Sequence, residues 1–221
     1  MEKDTWGEVM IYIIKHKEYN NPIPKQYKEK YVGEMFKYDY KKDNINKFNP
    51  YINEATGLYD IWRNNKDDIV GLVHYRRFFW NKENILSFKD AKLILKDYDM
   101  IVSNDVIFNK GIYEQLRSEI ENPDILDKYY NKLIEEEPQL KEWFEFKFFN
   151  PKEMFVCKRD VINDYCRWIF PLILPIVDEF IKEDVDKVVN KRMIGHLVER
   201  LFAYWIWKNK LKVYKMDIKE V

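Results

Sequence analysis

Residues Ile69–Phe79, I-V-G-L-V-H-Y-R-R-F-F, restrict the fold of this chain more than any other stretch. The run opens as an apolar, β-branched segment long enough for a buried strand and closes in His74, Tyr75, Arg76 and Arg77 before two phenylalanines. In an open α/β sheet, ligands lie beyond the carboxyl ends of the strands, so an imidazole and two guanidiniums there would face a bound anion. Guanidiniums grip phosphate oxygens bidentately and could neutralise a departing diphosphate without a metal ion. Strand alternation sends Arg76 and Arg77 to opposite faces, so one would meet the ligand and the other a structural carboxylate. The competing reading is a buried ion-pair cluster with no catalytic purpose.

The rest of the chain supplies partners for that strand. Glu8–Ile14 is a second apolar run ending in cations, here Lys15, His16 and Lys17, and a turn signal follows at Asn21, Pro22 and Pro24. Lys41–Asn49 is polar, rich in turn formers and reads as a loop with side chains free to bind. Tyr51–Asn64 carries Ile52, Ala55, Tyr59 and Trp62 at helical spacing, which predicts one helix feeding the Ile69 strand. Gly57 inside it implies close packing against the sheet or ligand approach. Ser87 and Asp90 form a capping-box pattern for a helix ending near Asp97, and Met100–Val102 is a short strand closing in Ser103, Asn104 and Asp105. Helices are expected over Gly111–Glu121 and Asn122–Glu137, the second with Asn122 as N-cap and Pro123 at its first position. Glu153–Lys158 is another brief strand. The long helix from about Val161 should be kinked or broken by Pro171 and Pro175, and Arg192–Trp207 and Leu211–Tyr214 read as a helix and a last strand. Strands alternating with helices predict an α/β fold with a mostly parallel central sheet flanked by helices.

At 221 residues and with no Pro/Gly/Ser-rich linker, a single domain spanning residues 1–221 is expected. Lys+Arg and Asp+Glu both number 38, so no net charge draws the chain to nucleic acid or an anionic membrane, and any polyanion site must be local. An RNA-binding role for the basic aromatic strand is disfavoured on the same ground. Aromatics at 17% leave rings to line a sugar or base pocket after a core is built. Cys157 and Cys166 have neither metal-ligand nor disulfide-framework spacing and read as buried free thiols. Without a signal peptide or a span of about 20 apolar residues, the expected location is cytoplasmic.

Two Asp-x-Asp patterns, Asp97-Tyr98-Asp99 and Asp184-Val185-Asp186, are of the kind that hold a divalent metal on a sugar diphosphate. The first precedes its strand and the second lacks an apolar lead-in, so neither is placed for that work and no metal site is assigned, although a divalent ion stays open. His196 and Glu199 share one side of a helix, with Arg200 following. Glu199 could act as general base or hold a sugar hydroxyl, or could simply pair with Arg200. No Gly-rich phosphate loop, Gly-x-Ser-x-Gly or His-Glu-x-x-His occurs, so kinase, hydrolase and zinc-protease readings lack support.

The block N-P-Y-I-N-E-A-T-G-L-Y-D-I-W-R-N (Asn49–Asn64), running into G-L-V-H-Y-R-R-F-F (Gly71–Phe79), resembles the hallmark of a bacterial domain of unknown function found in capsular and exopolysaccharide glycosyltransferases, galactofuranosyltransferases among them. The blocks Met154–Leu174 and Lys191–Ile206 agree with it, as do Asp43-Asn44-Ile45 and the early strand ending in His16-Lys17. The resemblance implies a nucleotide-sugar fold of the GT-A kind, in which His16, Lys17 and the Asp43–Thr56 region, with Asn44, Asn53, Glu54 and Thr56, frame the donor. It places His74, Arg76 and Arg77 where metal-using relatives carry an acidic pair, and makes Glu199 and Arg200 candidates for acceptor activation or donor gripping. The expected activity is transfer of a hexose, galactofuranose among the candidates, from a nucleotide-diphosphate donor of UDP type. The acceptor would be a surface glycan or lipid-linked oligosaccharide reached by peripheral membrane association. Glu199 is the first candidate base and Asp105, at a strand's carboxyl end, the second. The alternative is a non-catalytic nucleotide-sugar or glycan-binding module on the same fold.

Overall fold

Strand β1 (Val9–Lys15) alternates between two interiors: Tyr12 and Ile14 point into one hydrophobic cluster, Val9, Ile11 and Ile13 into another. A sheet therefore divides the molecule, and helices cover both of its faces. The computed structural model describes residues 7–19, 23–36, 42–185 and 189–221; Asn21, Pro22, Lys41 and Asp186 lie outside them.

In chain order β1 is followed by β2 (Lys28–Tyr31), α1 (Asn49–Ile52), α2 (Ala55–Asn64), β3 (Ile69–His74), β4 (Arg77–Asn81), β5 (Asn84–Ile85) and α3 (Phe88–Ile94). Then come β6 (Met100–Ser103), β7 (Val106–Ile107), α4 (Ile112–Arg117), α5 (Pro123–Glu136), α6 (Leu140–Phe144) and β8 (Phe148–Phe149). The chain closes with β9 (Phe155–Lys158), α7 (Arg159–Lys182), α8 (Met193–Lys208) and β10 (Val213–Glu220). Eight strands form one sheet in the order β2-β1-β3-β9-β6-β10-β4-β5, while β7 and β8 pair separately. All six residues of β3 are buried, as its apolar run requires.

The sheet is mixed, which corrects the expectation of a mostly parallel one. β1–β2, β1–β3 and β6–β10 are parallel, whereas β9 runs against both β3 and β6, and β4 against β10, β5 and β3. The reason lies in connection length. Helices α1 and α2 give β1 room to cross over to a parallel β3, but only Tyr75 and Arg76 separate β3 from β4, and so short a turn returns the chain antiparallel.

Two helices also depart from expectation. The stretch predicted as one helix over Tyr51–Asn64 breaks at Asn53, which adopts φ +50°, a left-handed conformation that asparagine tolerates. The Asn53 carbonyl there accepts from Thr56 Oγ1 (2.7 Å) and Asn49 Nδ2 (3.0 Å), so the break is locally satisfied. Conversely, α7 continues through Pro171 and Pro175. Both prolines lie on its exposed side, where carbonyls left without an N–H partner can reach water, while Ile169, Phe170, Ile173, Ile176 and Val177 bury the other side. Ser87 caps α3 as its pattern predicts, accepting from Asp90 N at 3.1 Å. Gly57 serves packing: a Cβ there would sit 2.6 Å from Ile14 Cδ1, so the glycine lets α2 close onto β1. Cys157 and Cys166 are buried free thiols. Among the described residues no helix is long and apolar enough to cross a membrane.

Candidate functional site

β1 and β3 lie side by side and in parallel, with Ile14 opposite His74, so their carboxyl ends deliver His16 and Lys17 beside Tyr75, Arg76 and Arg77. These side chains, with His74, Glu54 and Arg192, line a cavity of about 190 Å³. Among the described residues its lining holds four permanent cations, Lys17, Arg76, Arg77 and Arg192, against the carboxylate of Glu54. A smaller void of about 50 Å³ shares His16, Glu54 and Arg192 with it and adds Asn53 and Asn49. The break at Asn53 places Glu54 here, by turning the chain between α1 and α2 toward the strand ends.

Tyr75 organises the cations. Its buried ring meets His16 edge-on at 5.0 Å, and it carries Lys17 Nζ at 5.6 Å and the Arg76 guanidinium at 5.9 Å from its centroid. Because β3 ends at His74, strand alternation no longer governs Arg76 and Arg77, which corrects the expectation of opposite faces. Both guanidiniums turn to one carboxylate, Glu220 of β10: Arg77 Nε donates to Oε1 at 2.8 Å and Arg76 Nε stands 3.8 Å from the same atom. Glu220 is more than half exposed, and the hydrogen bond from Arg77 holds its carboxyl below the ordinary range.

His74 occupies a different position from the one its strand end suggests. It is 4% exposed and both ring nitrogens are engaged. Nε2 lies 2.8 Å from the Lys152 carbonyl, which can only accept, so Nε2 carries the proton. Nδ1 faces Glu54 Oε1 at 3.5 Å. The imidazole therefore braces Glu54 and the Asn150–Glu153 loop, and the cavity's anion-seeking groups are the guanidiniums and Lys17. Burial would raise the Glu54 carboxyl, but His74, its own backbone N–H, His16 and Arg192 outweigh that and hold it low. Burial pushes His16 down, with Arg192, Lys17 and His74 adding to the effect and Glu54 opposing it.

The loop that His74 braces spans the tops of β3 and β6. Lys152 and Glu153 both take positive φ, +80° and +47°, which is costly for residues with a Cβ and is imposed by surrounding contacts. Ser103 Oγ donates to the Pro151 carbonyl (2.8 Å), Lys152 N donates to Glu199 Oε2 (3.2 Å), and Tyr165 hydroxyl donates to Glu153 Oε1 (3.0 Å). Glu153 is 3% exposed, and burial lifts its carboxyl to about 8, with Glu54 and Glu199 adding to the rise and Tyr165 opposing it.

Of the residues expected at the site, the cavity gathers His16, Lys17, Glu54, His74, Arg76 and Arg77, and the smaller void beside it adds Asn53. Thr56 stands behind it, buried and bonded to Asn49 and the Asn53 carbonyl. Asp43 turns outward to Arg63 (2.8 Å) and Tyr59 (3.1 Å), and Asn44 shapes its own loop through Asn46 N and the Lys42 carbonyl; neither lines the cavity. Asp105 is ion-paired to Lys215. Arg200 is 4% exposed and lies outside the cavity, donating to Gln115 Oε1 (2.6 Å) and the His196 carbonyl (2.9 Å) over the ring of Phe149. The intrahelical pairing with Glu199 is thus replaced by neutral partners. Asp99 binds Lys212 N (2.8 Å) where β6 and β10 begin, at the opposite sheet edge, in agreement with the positional argument. Arg192, just before α8, was legible only as part of a charged helix start, and Lys152 and Glu220 carried no signal in the sequence.

With this geometry in view, the comparisons fix the family. The model of the domain of unknown function DUF4422 matches residues 10–210. The chain belongs to this family. Its fold is similar to that of a chain described as the apo structure of the WbbM bifunctional glycosyltransferase, with a TM-score of 0.71 at 20% identity. The likeness covers 97% of the present chain and 45% of the other, so this chain spans under half the length of that relative. No curated protein matches it.

Proposed function

We propose that this DUF4422 domain is a glycosyltransferase that moves a hexose, galactofuranose among the candidates, from a nucleotide-diphosphate donor to a surface or capsular glycan or a lipid-linked acceptor. The observation that carries the reading is the cation-lined cavity beyond the carboxyl ends of β1 and β3, within a fold shared with a glycosyltransferase. Anionic ligands bind at that edge of an open α/β sheet, and four fixed cations over one carboxylate would offset the charge of a diphosphate. Arg76, Arg77, Lys17 and Arg192 hold the diphosphate, with no metal required. Asn53 and Glu54 face the rest of the donor, and His74 keeps Glu54 and the Asn150–Glu153 loop in register. Glu199, part-exposed beneath Lys152, deprotonates the acceptor hydroxyl; Asp105 is less suited because Lys215 already neutralises it. Residence at the cytoplasmic face of a membrane, where a lipid-linked acceptor would lie, belongs to the same reading.

Calorimetry with UDP, with and without chelator, tests the clamp. Arg76→Ala with Arg77→Ala should weaken UDP roughly a hundredfold, about tenfold for each lost charge-assisted contact, and chelator should change nothing. Unchanged affinity in the double variant, or an absolute need for a divalent ion, would sink the assignment. Donor turnover, followed by product detection, should vanish in Glu199→Gln while UDP binding persists. Binding without turnover in the parent protein would establish instead a nucleotide-sugar-binding module.

A further inference from the structure

Lys152 joins both halves of the site through its backbone: its carbonyl accepts from His74 and its N–H donates to Glu199. It also carries the larger of two consecutive left-handed φ angles, +80°, in a segment where glycine would be free of steric cost. Four side chains from β3, β6, α7 and α8 are used to hold these residues in that conformation. A conformation so costly and so heavily braced points to a purpose for the side chain it displays.

Lys152 stands just behind the cavity lining: its backbone contacts set it between His74, which lines the cavity, and Glu199, and its part-buried ammonium has Arg77, Glu199 and Glu220 as charged neighbours. Burial, with Arg77 beside it, lowers its proton affinity, while the two carboxylates work in the other direction. An arriving anion would be drawn to this point, because it relieves the repulsion between Lys152 and Arg77 and replaces Glu220 as their counter-charge.

We propose that Lys152 is an anion-binding residue of the site, its ammonium joining Arg77 in the clamp on the donor's diphosphate, and that the left-handed segment exists to aim it. This rests on the reading of the cavity as a diphosphate site. Lys152 binds as a compact point charge that follows the phosphate by rotation of its stem, complementing the planar grip of the arginines. Its position above Glu199 sets the leaving group and the acceptor base on either side of one short loop.

Lys152→Gly separates the side chain from the backbone, since glycine takes φ +80° without strain and keeps the N–H and carbonyl that Glu199 and His74 bind. Calorimetry of the full chain with UDP and with inorganic pyrophosphate should show both weakened roughly tenfold, with thermal stability equal to or above that of the parent. Lys152→Arg should retain most of the affinity. Unchanged affinity for both anions in Lys152→Gly would overturn the inference while leaving the clamp intact. Failure of the parent protein to bind either anion would overturn both.

Discussion

Arg77 and Arg200 are the same side chain in opposite circumstances. Arg77 sits at the cavity mouth beside Arg76, part-exposed, sharing one exposed carboxylate with it. Arg200 is sealed inside α8, its guanidinium bonded to an amide and a carbonyl, its Nε without a partner, and its proton affinity lowered by burial to about 10. The mouth arginines retain unspent hydrogen-bonding capacity and can exchange Glu220 for a ligand at little cost. Arg200 has been withdrawn from water and can exchange nothing. The difference teaches that the two arginines of this chain divide by exposure: the one at the strand end can exchange its counter-ion, and the one inside the helix is part of the packing.

Removing Arg200 should therefore have the largest effect and the wrong sign for a ligand-binding residue. Arg200→Ala leaves a void under Phe149 and strips Gln115 Oε1 of its donor, and a loss of about 3 kcal/mol in urea unfolding is expected, with UDP affinity unchanged where the protein remains folded. Arg200→Met, which keeps the volume without the buried charge, should recover most of that loss. A fall in UDP affinity in Arg200→Met, at undiminished stability, would erase the distinction between the two arginines.

Glu153 extends the comparison to acids. Its folded-state value of about 8 lies above the ordinary glutamate range, so the native protein holds a proton that the unfolded chain releases near pH 4.5. The stabilisation is full below pH 4.5 and is lost as pH rises toward 8, amounting to about 2 kcal/mol between pH 6 and pH 8. Glu153→Gln, neutral at every pH and still able to accept from Tyr165, should flatten that slope in urea midpoints measured across the same range. A parallel slope in the variant would place the proton elsewhere.

How far the sequence reveals all this follows from the distances along the chain. β1, β3, β6 and β9 are buried on both faces and announce themselves as apolar runs, while β10, V-Y-K-M-D-I-K-E, buries only Met216, so its start is legible as the short strand Leu211–Tyr214 and its charged remainder is not. The edge strands β2 and β5 are hidden for the same reason. At the site, the cations of β1 and β3 are legible because strand ends are local. Lys152 stands 78 residues from His74 and Glu220 stands 143 from Arg77, so only the folded sheet brings them together. The left-handed turns at Asn53 and Lys152 are likewise products of tertiary contacts, and the second has no glycine or asparagine to advertise it.

Glu220 provides the finest test of the contrast, because it is the counter-ion that makes the mouth exchangeable. Its carboxylate answers Arg76 and Arg77 as a phosphate oxygen would, so it competes with the ligand. Glu220→Gln keeps the side chain's shape but removes the charge, freeing both guanidiniums. UDP should then bind a few-fold more tightly, with most of the gain at low ionic strength, where exposed charges are least screened. The same substitution should leave folding stability within about 0.5 kcal/mol, as expected for an exposed pair. Weaker UDP binding in Glu220→Gln would mean that the carboxylate orients the arginines instead of occupying them, and the mouth would then resemble the fixed environment of Arg200 more than it does now.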